Sequence, residues 1–156
     1  MLGWRLGMRI QALLMGTILV SLLSGGCRRE PPEPGVVTVK LPGGQKIRVE
    51  VMSRPEDMAR GMMFREHLAP DRGMLFVHGS PGRYRYWMYQ CLIPLDILWM
   101  DADRRIVEIS ENTPPCRGQS WECPYYGGNR DAQFVLELAG GMARKYGLKL
   151  GDRLLF

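Results

Sequence analysis

The stretch YWMYQCLIPLDILWMD, Tyr86–Asp101, decides the fold because it places two apolar segments on either side of a proline. Apolar runs of this length, rich in aromatic and aliphatic side chains, are typical of buried strands. Pro94 interrupts the run, and Gln90, Cys91 and Asp96 bring polar groups into it. The stretch therefore predicts two core strands joined by a bend, with polar residues that either hold the bend or form a reactive site.

Asp96 is the residue of this stretch that most needs a structural explanation, because its neighbours in sequence are apolar. A carboxylate buried among apolar side chains must be hydrogen-bonded or paired with a cation. We expect Asp96 to accept backbone N–H bonds, or to pair with Arg60 or Arg65, and so to fix a loop. The alternative is a pocket acid with a shifted pKa, which makes Asp96 a candidate catalytic residue.

Gln90 and Cys91 are the other polar candidates in this stretch. A nucleophilic cysteine needs a base or a cationic neighbour to form its thiolate, and the chain offers His67 and His78. The sequence places neither histidine beside Cys91, so we expect a small buried residue and keep a catalytic role as the alternative. The Gln90 amide either orients a ligand or ties down a loop, and we favour the loop.

The segments on both sides predict short strands and two small helices. Lys46 to Val51 alternates apolar and charged residues, the pattern of a half-buried strand. Ser53 as N-cap, followed by Pro55 and Glu56, predicts a helix that continues through Arg60 or beyond. The other predicted elements are strands over 36–41, 73–78, 84–88, 97–100, 105–109, 133–138 and 153–156, a long loop over 110–130 and a helix over 139–146. Together they predict a single compact, mostly antiparallel α+β domain.

Residues 1–26 are predicted to be a signal peptide rather than part of the fold. Two arginines precede an apolar run, Ala12 to Leu23, that is shorter than the ~20 residues of a membrane-spanning helix. The run ends in LSGGC, which resembles a bacterial lipobox with Ser24 at the place of its usual leucine. We expect Cys27 to carry the lipid that anchors the chain. An uncleaved anchor and an ordinary cleaved signal are the alternatives, and each exports the domain.

Residues 27–35 are rich in proline and charge and predict an extended tether, which leaves 36–156 as one globular domain. An Asp directly after the lipidated cysteine would resemble an inner-membrane retention signal, but this position is Arg28. We therefore expect the anchor at the periplasmic face of the outer membrane, if the organism has one. Without the signal, 19 basic residues face 16 acidic ones and the net charge is +3. This mild charge does not indicate nucleic acid as a partner.

Cys116 and Cys123 enclose a six-residue loop, and an exported domain permits disulfides. We favour a disulfide between them, with a stabilisation of about 2.5 kcal/mol from closing the loop. A metal clip is the alternative, but the spacing is wider than that of zinc ligands and neither histidine is near in sequence. No metal and no cofactor is therefore predicted.

Three groups of side chains are candidates for ligand binding. Trp121, Tyr125 and Tyr126 lie in the long loop, where aromatic rings either stack on sugars and dock on proteins or simply cap the core. Six arginines within 32 residues, Arg60 and Arg65 among them, form a mixed-charge face with four acidic residues, and suit an anionic partner if some converge on one cleft. Eight methionines after the signal suggest a soft metal such as copper, although core packing explains them better.

A set of short motifs runs through the chain after the tether: MARGMMFR (58–65), DRGMLFV (71–77), WM (87–88), IPLDI (93–97), MDAD (100–103), PC (115–116), CP (123–124), VLE (135–137) and GD (151–152). In order and spacing, these motifs resemble the domain-of-unknown-function 192 family over about residues 36 to 156. The resemblance implies a single mostly-β, barrel-like domain with a helix packed on it, and it implies no activity.

The chain departs from the family pattern at two places. The family usually has Lys-Asn-Thr where Tyr89, Gln90 and Cys91 stand, and it usually has Gly where Arg104 follows Asp103. A nucleophile would rarely be exchanged for threonine so freely, so the first departure weighs against Cys91 as a reactive centre.

These observations predict a lipid-anchored module of the cell envelope that binds a saccharide, peptide or protein without catalysis. The sequence holds no hydrolase, nucleotide-binding or metalloprotease motif. One alternative is a small hydrolase or transferase that uses Asp96 with nearby polar residues, for example with Glu137 as the second carboxylate of a glycosidase. The other alternative is a copper binder.

Overall fold

The computed structural model describes residues 35–156, so the predicted signal peptide, Cys27 and the tether up to residue 34 lie outside the described residues. The elements, in chain order, are β1 Val36–Lys40, β2 Lys46–Met52, α1 Pro55–Arg60, β3 Arg72–Gly82, β4 Arg85–Trp87, β5 Leu95–Met100, β6 Ile106–Thr113, β7 Tyr125–Gly127, β8 Ala132–Ala139 and α2 Met142–Lys145. One turn of 3-10 helix, Ser120–Glu122, precedes β7. Within 35–156, no helix is long and apolar enough to cross a membrane.

Six strands form one sheet in the order β1, β2, β3, β8, β5, β6, and β4 pairs with β7 in a separate small sheet. β2 and β3 run parallel, because the chain between them crosses over with α1 instead of turning back as a hairpin. The other neighbours are antiparallel. The predicted β-rich α+β class with two short helices is confirmed, but the sheet is mixed rather than purely antiparallel.

The barrel-like part of the prediction is wrong, because the large sheet stays open between its edge strands β1 and β6. The C-terminal segment reaches both edges only through isolated backbone bridges. Leu155 bridges to Lys40 at the end of β1, and Arg153 bridges to Arg105 just before β6. These bridges replace the strand predicted over 153–156 and do not close the sheet.

The large sheet separates two apolar clusters, one on each face. Along β5, Leu98 and Met100 belong to the first cluster, whereas Ile97 and Trp99 belong to the second. α2 contributes Ala143 to the first cluster, and the turn after α1 and the small sheet cover the second. All six residues of β5 are therefore buried, which is why its sequence, LDILWM, shows no alternation.

Helix α1 begins one residue later than its sequence predicts. Arg54, not Ser53, occupies the N-cap, and its side chain pairs with Asp57 at 2.6 Å instead of capping the helix. Gly61 ends the helix with a φ of +45°, and the Phe76 ring lies 3.2 Å from the place of a Cβ on this glycine. The turn after α1 thus sits directly on the second cluster.

In the C-terminal half of the domain, the predicted extent of the long loop and the predicted start of the second helix are wrong. β6 continues to Thr113 and β7 forms over 125–127, so the segment 110–130 is not one long loop. β8 extends through Ala139, and Gly141, with a φ of +86°, precedes α2, which shortens the predicted helix to Met142–Lys145.

Candidate functional site

Asp96 is fully buried, and backbone N–H groups occupy both of its carboxylate oxygens. The N–H groups of Asn112 and Gly141 donate to Oδ1 at 2.6 and 3.0 Å, and that of Ala143 donates to Oδ2 at 2.6 Å. Gly141 and Ala143 belong to the start of α2, so a carboxylate from a strand caps that helix. Asp96 therefore joins β5, β6 and α2, and backbone groups rather than an arginine hold its oxygens.

Asp96 and Glu137 point to opposite faces of the large sheet. Asp96 lies opposite Leu138, a member of the first cluster, whereas Glu137 lies opposite Ile97, a member of the second. Side chains of successive strand residues alternate between the faces, so the sheet itself separates the two carboxyls. The idea that they form a glycosidase pair is wrong, because such a pair must flank one bond.

Glu137, which the sequence suggested only as a possible second carboxylate beside Asp96, is the stronger functional candidate in the structure. The residue is 4% exposed, and its Oε2 atom has no hydrogen-bond partner among the described residues. Burial raises the pKa of Glu137 to about 8, against the opposing effect of the Arg65 cation. A buried carboxyl with an unused oxygen is uncommon, because such atoms almost always find a partner.

Glu137 borders a cavity of about 30 Å³ beneath the turn after α1, which we call the acid cavity. A space of this size holds roughly one or two water-sized groups. The side chains around it include four aromatic residues, four with sulfur and one arginine: Phe76, Tyr86, Trp87 and Tyr89, then Met58, Met62, Met63 and Cys91, and Arg60. The acid cavity therefore combines one carboxyl and one arginine side chain with aromatic and soft, apolar walls.

Cys91 is a free thiol that is 7% exposed in the lining of the acid cavity. Burial, and to a lesser degree the charge of Glu137, raises the pKa of Cys91 to about 12. No histidine lies in the lining of this cavity, and His78 instead contacts the Tyr86 hydroxyl at 3.1 Å. A thiol with so high a pKa is not a thiolate at neutral pH, so the geometry gives no support to Cys91 as a nucleophile.

The methionines divide between the core and the acid cavity. Met74, Met88 and Met100 are fully buried in the core, as expected for core packing. Met62 is also buried, yet it lines the acid cavity together with Met58 and Met63. In residues 35–156, no group of three or more His, Cys, Asp or Glu is placed to hold a metal ion.

Gln90, Arg60 and Arg65 do not share a cleft with Asp96. Gln90 adopts a φ of +57°, and its carbonyl accepts the N–H of Phe64 at 2.9 Å, which ties its loop to the turn after α1. Arg65 forms a two-pronged ion pair with Glu50 at 2.5 and 2.7 Å. The hydrolase alternative needed Asp96 beside accessible polar groups, and this arrangement does not provide them.

The predicted disulfide between Cys116 and Cys123 is confirmed, with Cα atoms 5.7 Å apart. It closes the loop that carries the 3-10 turn, where Gln119 and Glu122 form a reciprocal capping box. Trp121 stands on this turn and is 80% exposed. The disulfide thus closes a short loop on which Trp121 is exposed to solvent.

Four side chains form a row that we call the aromatic ladder: Arg85 and Trp87 on β4, Tyr89 just after β4, and Tyr125 on β7. Trp87 and Tyr125 are cross-strand partners whose rings stack with centroids 5.7 Å apart. Tyr89 packs against Trp87 at 5.3 Å, and the Arg85 guanidinium lies 4.9 Å from the centre of the Tyr125 ring. Tyr125 is 55% exposed and Arg85 is exposed, whereas Trp87 and Tyr89 are half-buried, so the row reaches solvent mainly at its Tyr125–Arg85 end. Such a row offers stacking faces and polar groups in a fixed order.

The two remaining aromatic candidates occupy different places. Tyr126, next to Tyr125 on β7, is half-buried and packs against the second cluster, so it caps the core. Trp121 is exposed and precedes Tyr125 of the aromatic ladder by four residues in the sequence. Of the three predicted aromatic candidates, Tyr125 and Trp121 are therefore accessible, and Trp87 and Tyr89 join them.

Comparison with known proteins identifies one family. The family model DUF192, described as "Uncharacterized ACR", matches residues 37–156. Among functionally curated proteins, none matches the chain.

The solved structures that are similar to this chain include two crystal structures. One is the crystal structure of a protein of unknown function from Novosphingobium aromaticivorans DSM 12444, with 31% identity, a TM-score of 0.70, and coverage of 78% of this chain and 85% of that one. The other is the crystal structure of a candidate transcription regulator from Sinorhizobium meliloti 1021, with 29% identity, a TM-score of 0.68, and coverage of 80% of this chain and 97% of that one.

Proposed function

The chain belongs to the uncharacterised DUF192 family, and from that premise we propose that it is a non-catalytic module of the cell envelope that binds a saccharide or peptide chain along the aromatic ladder. The observation that carries this proposal is the row Tyr89, Trp87, Tyr125 and Arg85, whose members contact one another and reach solvent. Pre-ordered aromatic side chains lose little conformational freedom on binding, which favours their use as a contact surface.

The surroundings of the ladder fit an extended ligand. A hollow of about 500 Å³ next to Tyr89 is lined by Gln90, Leu92, Arg117 and Gln119, among others. It supplies amide and guanidinium groups that hydrogen-bond to hydroxyl, carbonyl or carboxylate oxygens. A chain of sugar rings or amino acids on the ladder would place its neighbouring unit against these groups.

Tyr125→Ala is expected to weaken binding of an oligomeric ligand about tenfold, because it removes the exposed ring that joins Trp87 to the Arg85 guanidinium. The measurement is calorimetric titration of the full chain, purified in detergent, with the N-acetylglucosamine trimer and with trialanine. Leu150→Ala is the matched control, since Leu150 is an exposed apolar residue outside the ladder. The proposal fails if neither oligomer binds saturably, or if Tyr125→Ala and Leu150→Ala bind alike.

We also propose that Cys27 is lipidated and holds the domain at the membrane. A diacylglyceryl group buries two acyl chains, which is enough for stable anchoring, whereas one chain gives only marginal binding. Cys27→Ser is therefore expected to move the chain from the membrane fraction to the soluble fraction and to end palmitate labelling. Cys91→Ser is the control and should stay in the membrane fraction. An unchanged distribution of the Cys27→Ser chain would contradict the lipid anchor.

A further inference from the structure

The unused oxygen of Glu137 indicates a ligand group for the acid cavity. A buried carboxyl oxygen without a donor loses its hydrogen bonds to water and gains nothing in exchange. Its fellow carboxyl Asp96, in the same sheet, has three backbone donors. The fold therefore gives the structural carboxyl of Asp96 its donors, whereas Oε2 of Glu137, a residue that lines the acid cavity, has none among the described residues.

The walls of the acid cavity favour a positive donor. Phe76, Tyr86, Trp87 and Tyr89 lie around the carboxyl, and aromatic faces attract cations. A primary ammonium group carries three donors and is about the size of a water molecule, so it suits both the unused acceptor and a space of about 30 Å³. A guanidinium is larger, and a neutral hydroxyl would not use the aromatic faces.

The acid cavity and the aromatic ladder share two side chains. Trp87 and Tyr89 belong to the ladder and also line the cavity. A ligand that lies on the ladder therefore contacts two side chains of the cavity wall. One ligand can reach both places.

We propose that the acid cavity binds a primary ammonium group of the ligand, with Glu137 as its counter-ion and the rest of the ligand on the aromatic ladder. The second half of this statement rests on the proposed function, whereas the ammonium site stands on the cavity alone. Two kinds of ligand carry this chemistry: a saccharide with free amino groups, and a peptide with a free amine.

The ammonium site needs Glu137 in its charged form, so binding depends on pH. Glu137 is mostly protonated in the ligand-free protein below about pH 8. A cation binds the carboxylate, so binding releases a proton and the apparent affinity rises as the pH increases from 6 to 8. The polar groups that face Glu137 from the surrounding elements are Arg60, Arg65, Tyr86, Tyr89 and Cys91.

These neighbouring groups do not produce the same pH dependence. The Arg65 cation is already paired with Glu50. Burial raises the pKa of Tyr86 above its usual range, and it raises the pKa of Cys91 to about 12, so both stay neutral between pH 6 and 8. The β3 and β5 residues paired with Glu137, Met74 and Ile97, do not titrate.

The first test uses ethylammonium chloride alone, because it needs no contact with the ladder. Saturable binding to the full chain is followed by the NMR signals of Trp87 and of the other cavity side chains, from pH 6 to 8. We expect binding that tightens with pH, and a loss of roughly 10- to 100-fold in Glu137→Gln. Glu111→Gln is the matched control, since it neutralises a carboxylate outside the cavity lining and should bind as the original chain does.

The second test compares ligands that differ only at the amine. The glucosamine trimer is set against the N-acetylglucosamine trimer, and trialanine against N-acetyl-trialanine, which separates amino sugars from peptides as the source. The free amine should bind at least tenfold more tightly, and Glu137→Gln should remove that preference. Thermal unfolding of Glu137→Gln must show a folded chain, and Glu137→Leu serves as a second variant.

The ammonium site is overturned if ethylammonium and both free amines show no saturable binding, or if Glu137→Gln leaves their binding unchanged. Equal binding of acetylated and free forms, with a loss in Tyr125→Ala, would overturn the ammonium site and keep the proposed function. Amine binding that ignores Tyr125→Ala would keep the ammonium site and count against the ladder.

Discussion

Replacing Asp96 by asparagine is expected to lower the free energy of unfolding by about 3 kcal/mol. The carboxylate accepts three buried backbone N–H groups, two of them at 2.6 Å. An amide keeps only one acceptor oxygen, and its NH₂ group would face an N–H donor, which leaves at least one buried donor without a partner. Urea unfolding at pH 7, followed by tryptophan fluorescence and by circular dichroism, measures the change.

Asp101→Asn is the matched control for this prediction. Asp101 also accepts two backbone N–H groups, from Asp103 and Arg105 at 2.9 Å, but it does so in an exposed turn where water can replace a lost partner. Its substitution should cost less than about 1 kcal/mol. If Asp96→Asn unfolds no more easily than Asp101→Asn, Asp96 is not the anchor described above. Ligand binding per folded molecule should be the same in both variants.

The role of Asp96 was predictable from its sequence neighbours, but its partners were not. An acidic residue inside LDILWM must be buried, and burial demands donors. The donors come from Asn112 and from the start of α2, 16 and 45 or more residues further along the chain. Only the pairing of β5 with both β6 and β8 brings these donors to one point, and no local pattern encodes that pairing.

The two departures from the family pattern fall at positions with left-handed backbone. Gln90 and Arg104 have φ values of +57° and +63°, in the region that asparagine and glycine adopt most easily. This backbone geometry suits the Asn and Gly of the family pattern that the chain resembles. Arg104 is compensated by its guanidinium, which lies 4.6 Å from the centre of the Phe156 ring.

The sequence suggested Glu137 only as a possible partner of Asp96, and the pattern of its strand gives no sign of its burial. In QFVLEL the alternation puts Gln133, Val135 and Glu137 on one side, which suggests a solvent face. β8 instead lies between β3 and β5 in the middle of the sheet, and the turn after α1 and the small sheet cover that side. β2 and β3 pair in parallel through a crossover that contains α1, and this crossover places α1 over the side of β8 that bears Glu137. The sequence alone does not determine this crossover.

The stability of the protein is expected to fall between about pH 4.5 and pH 8 because of Glu137. In the unfolded chain this carboxyl ionises near its ordinary value of 4.5, whereas in the fold its pKa is about 8. Between these values the folded chain holds a proton that the unfolded chain has lost, so stability falls as the pH rises. The loss attributable to Glu137 is on the order of 4 kcal/mol across this window.

Glu137→Gln isolates this effect, because glutamine has nearly the same shape and does not titrate. The variant should be more stable than the original chain at pH 8, and the difference between them should shrink towards zero or reverse below pH 4.5. His78 acts in the opposite direction, since burial lowers its pKa and stability rises as the pH increases towards 6.5, above which both states are neutral. The difference between the two urea-unfolding curves cancels His78, because both chains contain it. If the stabilities of the two chains follow parallel curves from pH 5 to pH 8, Glu137 is ionised in the folded chain throughout this range. A cation other than a bound amine would then have to hold its carboxylate.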